Sequence, residues 1–204
     1  MPITLNGNGT VTGLAVGGLP DGSVDQDTLA TGVGGKILQV VSTFKGDGFT
    51  TASTSFVDIT GLSVTITPTA ASSKIYLTCT MGAAGTRQSN LDYGNGIRVM
   101  RSIAGGSYSN DNKLNGSADG SRDRISYKGV GWSYNSDHMP GGLGFSGLDD
   151  PSYSVGNAII YKVQAVVQSG SYAFFLNRNS TNGDNNSIAQ GRSQTSLTVM
   201  EVAA

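Results

Sequence analysis

One histidine, His138, and one cysteine, Cys79, are all that this 204-residue chain offers for imidazole or thiol chemistry. A nucleophilic relay through His138 needs an acid to orient the ring, and the nearest is its neighbour Asp137. Adjacent residues on an irregular loop do not converge as a triad requires, and no G-x-S-x-G elbow presents a serine. Cys79 falls on the apolar face of an alternating strand, where a thiol serves as a small buried hydrophobe. The adjacent carboxylates Asp149 and Asp150 suggest a glycosidase, yet such sites hold two carboxyls about 5 to 10 Å apart across a sugar. Directly before Pro151 they read instead as a turn with a capping Asp. Asp111 and the run Asp119 to Asp123 loosely resemble calcium loops, but Arg122 and Arg124 stand where ligand oxygens would have to converge. No catalytic residue, metal site or cofactor is expected.

Recognition is a better fit to the residue types. Between Tyr127 and Tyr153 the chain interleaves Tyr127, Trp132, Tyr134, His138 and Phe145 with Gly and Asp. Flat amphipathic rings beside hydrogen-bonding groups grip sugars and protein surfaces alike. These five residues are the candidate receptor or glycan contact; the competing reading packs them under the loop or across a subunit seam. The sequons at Asn8, Asn115, Asn179 and Asn185 are chance matches in a chain rich in Asn, Ser and Thr. The opening MPITLNGNGT has neither the basic nor the apolar part of a secretory signal, so synthesis in a cytosol is expected.

The elements that must position these residues are strands. Glu occurs once, at Glu201, charged residues make up 13% of the chain, and 30 residues are Gly without a three-residue period. That composition disfavours helices and collagen and suits strands joined by tight turns. A net charge of −1 gives no footprint for nucleic acid or an anionic membrane, and no apolar run is long enough to span a bilayer. Strands are expected over Lys36–Ser42, Ser55–Thr60, Leu62–Ile66, Ser73–Thr80, Gly96–Ile103, weakly over Arg124–Tyr134, then Ala158–Gln168, Tyr172–Asn177 and Ser196–Val202. The segment Met139–Tyr153 is broken by Gly and Pro and is expected to be irregular. The pair flanking Ser169–Ser171 reads as a hairpin. The expected core is Phe56, Leu62, Val64, Ile66, Ile75, Leu77, Val163, Val166, Phe174, Leu197 and Val199.

Residues 1–35 differ from the rest. Leu14, Val16, Leu19, Val24 and Leu29 are too sparse to enclose a core in one copy, yet too regular for a disordered tail. Copies of the same chain are the simplest partners, since most oligomers are symmetric. The expectation is an all-β protein: an extended trimerising stem over 1–35 and a jelly-roll-like β-sandwich head over 36–204.

Specific strings carry a resemblance across nearly the whole chain. GTVTGLAVGGLPDGSVDQDTLA, GKILQVVST, FVDITGLSVTITP with SSKI, YKVQ, NRNST and SLTVMEVAA together resemble virion fibre proteins of tailed bacteriophages of the marine and cyanophage type. The resemblance implies a homotrimeric fibre or spike in the virion. Its stem would join capsid, baseplate or tail proteins, and its head would adhere to a host-surface glycan or protein. Phage fibres usually carry a longer docking domain, so the short stem keeps a trimeric capsid decoration or cement protein as the alternative. A surface depolymerase stands third.

Overall fold

A computed structural model describes residues 4–5, 11–12, 36–87, 94–132, 140–184 and 186–204. By internal contacts the chain divides into two compact units, 1–36 and 37–204. In the first, strands β1 (Thr4–Leu5) and β2 (Val11–Thr12) pair antiparallel, Leu5 opposite Val11. The stem positions Leu14, Val16, Leu19, Val24 and Leu29 lie outside the described residues.

The second unit is a β-sandwich whose only described helix is one 3₁₀ turn, Ile188–Gln190. Its strands are β3 (Ile37–Lys45), β4 (Phe49–Thr51), β5 (Val57–Ile66), β6 (Lys74–Met81), β7 (Ala84–Arg87), β8 (Gly94–Ile103), β9 (Tyr127–Trp132), β10 (Leu143–Asp149), β11 (Ile159–Val167), β12 (Ala173–Leu176) and β13 (Thr195–Val202). They form a four-stranded sheet, β10-β6-β13-β3, and a seven-stranded sheet, β4-β12-β7-β9-β8-β11-β5. Every pairing is antiparallel except β7 with β9.

Period-two alternation explains the core. Ile75, Leu77, Cys79 and Met81 of β6 and Leu197 and Val199 of β13 turn inward from one sheet. Leu62, Val64 and Ile66 of β5, Ile97 and Val99 of β8, and Ile159, Tyr161 and Val163 of β11 meet them from the other. Each fully buried aliphatic side chain stabilises the fold by about 1.5–3 kcal/mol relative to exposure.

Several expectations are corrected. Phe56 and Val166 are half-buried, not core. Val166 lies between the inward-facing Ala165 and Val167, so the apolar run conceals an outward position. The two strands expected over 55–66 are one strand with a bulge: Asp58 pairs with Gln164 and Ser63 with Lys162. Gly61, at φ 81°, supplies the left-handed backbone that this irregularity uses. β11 and β12 do not form a hairpin, because both edges of β11 are taken, by β5 and β8, and β12 pairs with β7 and β4. Residues 143–149, expected to be irregular, form the full strand β10 beside β6. A Cβ at Gly147 would stand 3.0 Å from Leu114, so glycine there makes room for the loop packed over the strand.

Candidate functional site

The seven-stranded sheet carries a connected polar row on its outer face, built directly by register. Asp58 of β5, Gln164 of β11 and Arg98 of β8 stand opposite one another across three strands. Gln164 Nε2 donates to Asp58 Oδ1 at 2.7 Å, and its Oε1 accepts from Arg98 Nε at 2.8 Å. Lys162 Nζ donates to the other Asp58 oxygen at 2.8 Å. Burial opposes ionisation of Asp58, but the bonds from Lys162 and Gln164 outweigh it and hold its carboxyl below the usual range.

A cation stacked on an aromatic ring ends the row on each side. Arg98 Cζ sits 3.8 Å from the Phe56 ring centroid, and Lys162 Nζ sits 3.9 Å from that of Tyr108. Such contacts contribute about 0.5–1 kcal/mol at exposed sites. Partial burial pulls the Arg98 guanidinium down in pKa, while Asp123 and Asp58 push it back up.

Beside Phe56 lies an open cleft of roughly 170 Å³, lined by the apolar Phe56, Ile125 and Val166 and by the polar Asp123, Lys128 and Gln168. Gly94 and Gly96 also line it. A Cβ at Gly96 would meet Val166 Cγ1 at 3.0 Å, so a side chain there would crowd Val166, which also lines the cleft. Pockets that engulf a small molecule measure about 300–1,000 Å³. This cleft therefore suits one small polar unit of a larger ligand, offering a ring, an acid, an amine and an amide.

No family model matches the chain, and no curated protein matches it.

The aromatic residues singled out in the sequence are placed as follows. Tyr127 is exposed on β9, in the seven-stranded sheet, and Phe145 is half-buried against the core on β10, in the other sheet. Trp132 ends β9, with its side chain outside the described residues, as are Tyr134 and His138. Tyr153 is a structural pin whose hydroxyl donates to the carbonyls of Ala70 and Ser73 at 2.8 and 3.2 Å.

Asp149 and Asp150 point apart. Asp149 is not a turn cap: it ends β10 and is buried between the sheets, accepting from Arg101 Nη1 at 2.6 Å, Tyr161 Oη at 2.9 Å and Lys113 N at 3.1 Å. Asp150 is exposed and pairs with Lys113 at 3.3 Å. Asp111 and Asp119 are each paired with an arginine, Arg124 and Arg122 respectively. Asn115 is buried, with its amide bonded to the Val99 carbonyl at 2.8 Å, so its sequon is closed to modification.

The row Asp58, Gln164, Arg98 was missed in the sequence because its members lie 66 and 106 residues apart. The available signal was local: Arg98 stands between Ile97 and Val99, and Lys162 and Gln164 alternate with Tyr161 and Val163, marking solvent-facing positions.

Proposed function

We propose that this chain is a structural virion protein of a tailed bacteriophage, a homotrimeric fibre or spike. Its stem seats it on other virion proteins, and its head adheres to a host-surface glycan. The observation that carries this reading is strand order. Among the described residues, eight strands have six residues or more: β3, β5, β6, β8, β9, β10, β11 and β13. Numbered in chain order, they run 1-8-3-6 in one sheet and 2-7-4-5 in the other. All successive pairs cross between sheets except β8 and β9, which are neighbours. This supports a jelly roll, the double Greek key found in viral capsid and lectin domains. The fibre strings in the sequence support the same reading independently. Fold alone does not assign function, so the outer-face cleft is needed for the second half of the proposal.

In the cleft, the Phe56 ring, which carries Arg98 on one face, gives a sugar an apolar wall, while Asp123, Lys128 and Gln168 offer hydrogen bonds. Binding is expected to be weak per site and strengthened by three linked copies. Gold-labelled antibody on intact particles, with binding of the purified protein to host cells, tests the reading. Label on a projecting appendage and cell binding that falls about tenfold in Phe56→Ala and Asp123→Asn, with unchanged circular dichroism, are expected. Label flush on the shell with no cell binding overturns it in favour of a decoration protein.

A further inference from the structure

The turn between β3 and β4 and the loop 177–194 between β12 and β13 bring three cations to one place. Lys45 ends β3 as a buried ammonium and donates to both Asp47 oxygens at 2.8 Å. Arg178 and Arg192, near the two ends of the loop, converge on Gly48. A Cβ there would stand 2.8 Å from Arg178 Cδ and 3.0 Å from Arg192 Nη1, so glycine leaves the space between the two side chains. Asn177, fully buried, ties the turn to the loop. Its amide donates to the carbonyls of Lys45 at 2.8 Å and Asp47 at 3.2 Å, while its oxygen accepts from Thr195 Oγ1 at 2.8 Å.

Hydrogen bonds hold both arginines, but none of them brings a negative charge. Arg178 Nε donates to the Asn179 carbonyl at 3.0 Å and its Nη2 to that of Ser180 at 3.3 Å, and Arg192 Nη2 donates to Asn182 Oδ1. Among the described residues, no carboxylate pairs with either guanidinium, and the Nη1 group of each makes no hydrogen bond. The Lys45 bond holds the Asp47 carboxyl below its usual range, and the Arg192 charge adds to it. Partial burial, then the Arg192 charge, pulls the Arg178 guanidinium down in pKa. Three cations against one carboxylate leave an excess of two positive charges, in a chain whose net charge is −1.

We propose that this corner of the head binds a phosphate group, free or as a monoester, between Arg178 and Arg192 over Gly48. A phosphate monoester carries about −1.5 to −2 at pH 7, which matches the excess, whereas a carboxylate carries a single charge. The planar guanidinium meets phosphate through parallel N–H bonds, and the space at Gly48 gives the anion access to both forks. The site shares no residue with the cleft at Phe56 and stands independently of the fibre reading.

Titration calorimetry of the full-length protein with inorganic phosphate, glucose 6-phosphate and acetate, at one ionic strength held with sodium chloride, tests the site. Saturable binding of phosphate and weaker binding of acetate are expected. Tighter binding of glucose 6-phosphate than of inorganic phosphate identifies a sugar-borne group as the ligand, and the reverse order identifies the free anion. Arg192→Gln is expected to weaken phosphate binding about tenfold, the scale of one charge-assisted hydrogen bond. Gly48→Ala keeps every charge and fills the space between the arginines, and is expected to weaken binding by a similar factor. Heats that do not saturate, acetate bound as tightly as phosphate, or unchanged affinity in either variant with a native circular dichroism spectrum would reduce the cluster to diffuse attraction and overturn the proposal.

Discussion

Asp149 and Tyr161 meet across the sandwich from opposite sheets, the phenol donating to the carboxylate at 2.9 Å with both side chains withdrawn from solvent. Arg101 completes the cluster from β8 at 2.6 Å. Burial first, then the neighbouring Asp149 charge, pushes the Tyr161 phenol far above its ordinary range, so at neutral pH it is a hydrogen-bond donor to the carboxylate.

Removing either partner should therefore cost different amounts. Tyr161→Phe leaves Asp149 with its bonds from Arg101 and Lys113 and is expected to lose about 1–2 kcal/mol. Asp149→Ala strands the part-buried Arg101 and is expected to lose about 3–5 kcal/mol. Urea unfolding of the two variants measures both, and equal losses would mean that Arg101 finds solvent once the carboxylate is gone.

Glu201, the only glutamate, should govern acid stability. It is wholly buried and accepts from Gln39 Nε2 at 2.7 Å and from the backbone N–H groups of Thr69 and Ala70, both at 3.0 Å. Burial alone would raise its carboxyl, but these bonds outweigh it and hold it below the ordinary value of 4.5. A lowered folded pKa gives stability that is complete above the unfolded value and lost as pH falls through the folded one. Melting temperature should drop below about pH 4.5 in the wild type, and the drop should be shallower in Glu201→Gln, which is less stable at neutral pH.

Core and surface positions within one apolar run should separate by mutation. Leu77→Ala is expected to cost about 2–5 kcal/mol because the inward side chain leaves a cavity. Val166→Ala is expected to cost under about 1 kcal/mol, since Val166 faces outward beside the cleft. Chemical denaturation curves decide, and a Val166 loss as large as that at Leu77 would contradict the register of β11.

Cys79 should be inert in the folded protein. Burial pushes its thiol up to about 12, and it has no exposed surface. Alkylation at pH 8 is expected only at the rate of unfolding. Labelling within minutes in native buffer would show that β6 opens locally.

The all-β class was legible in the sequence because alternation is local: Leu62, Val64, Ile66 and Ile75, Leu77, Cys79 each declare an inward face within one strand. The buried thiol and the absence of a convergent pair at Asp149 and Asp150 followed from the same local geometry. Pairing was not legible. Strand β10 carries Gly144 and Gly147 and reads as loop, yet β6 offers it a free edge and Leu114 needs the space a glycine leaves. The stack of Arg98 on Phe56 and the row through Gln164 and Asp58 depend on which strands flank β11 and on the Gly61 bulge that shifts β5 in register. Alternation fixes which way a side chain points from its own strand; only the assembled sheets decide which distant side chains it meets there.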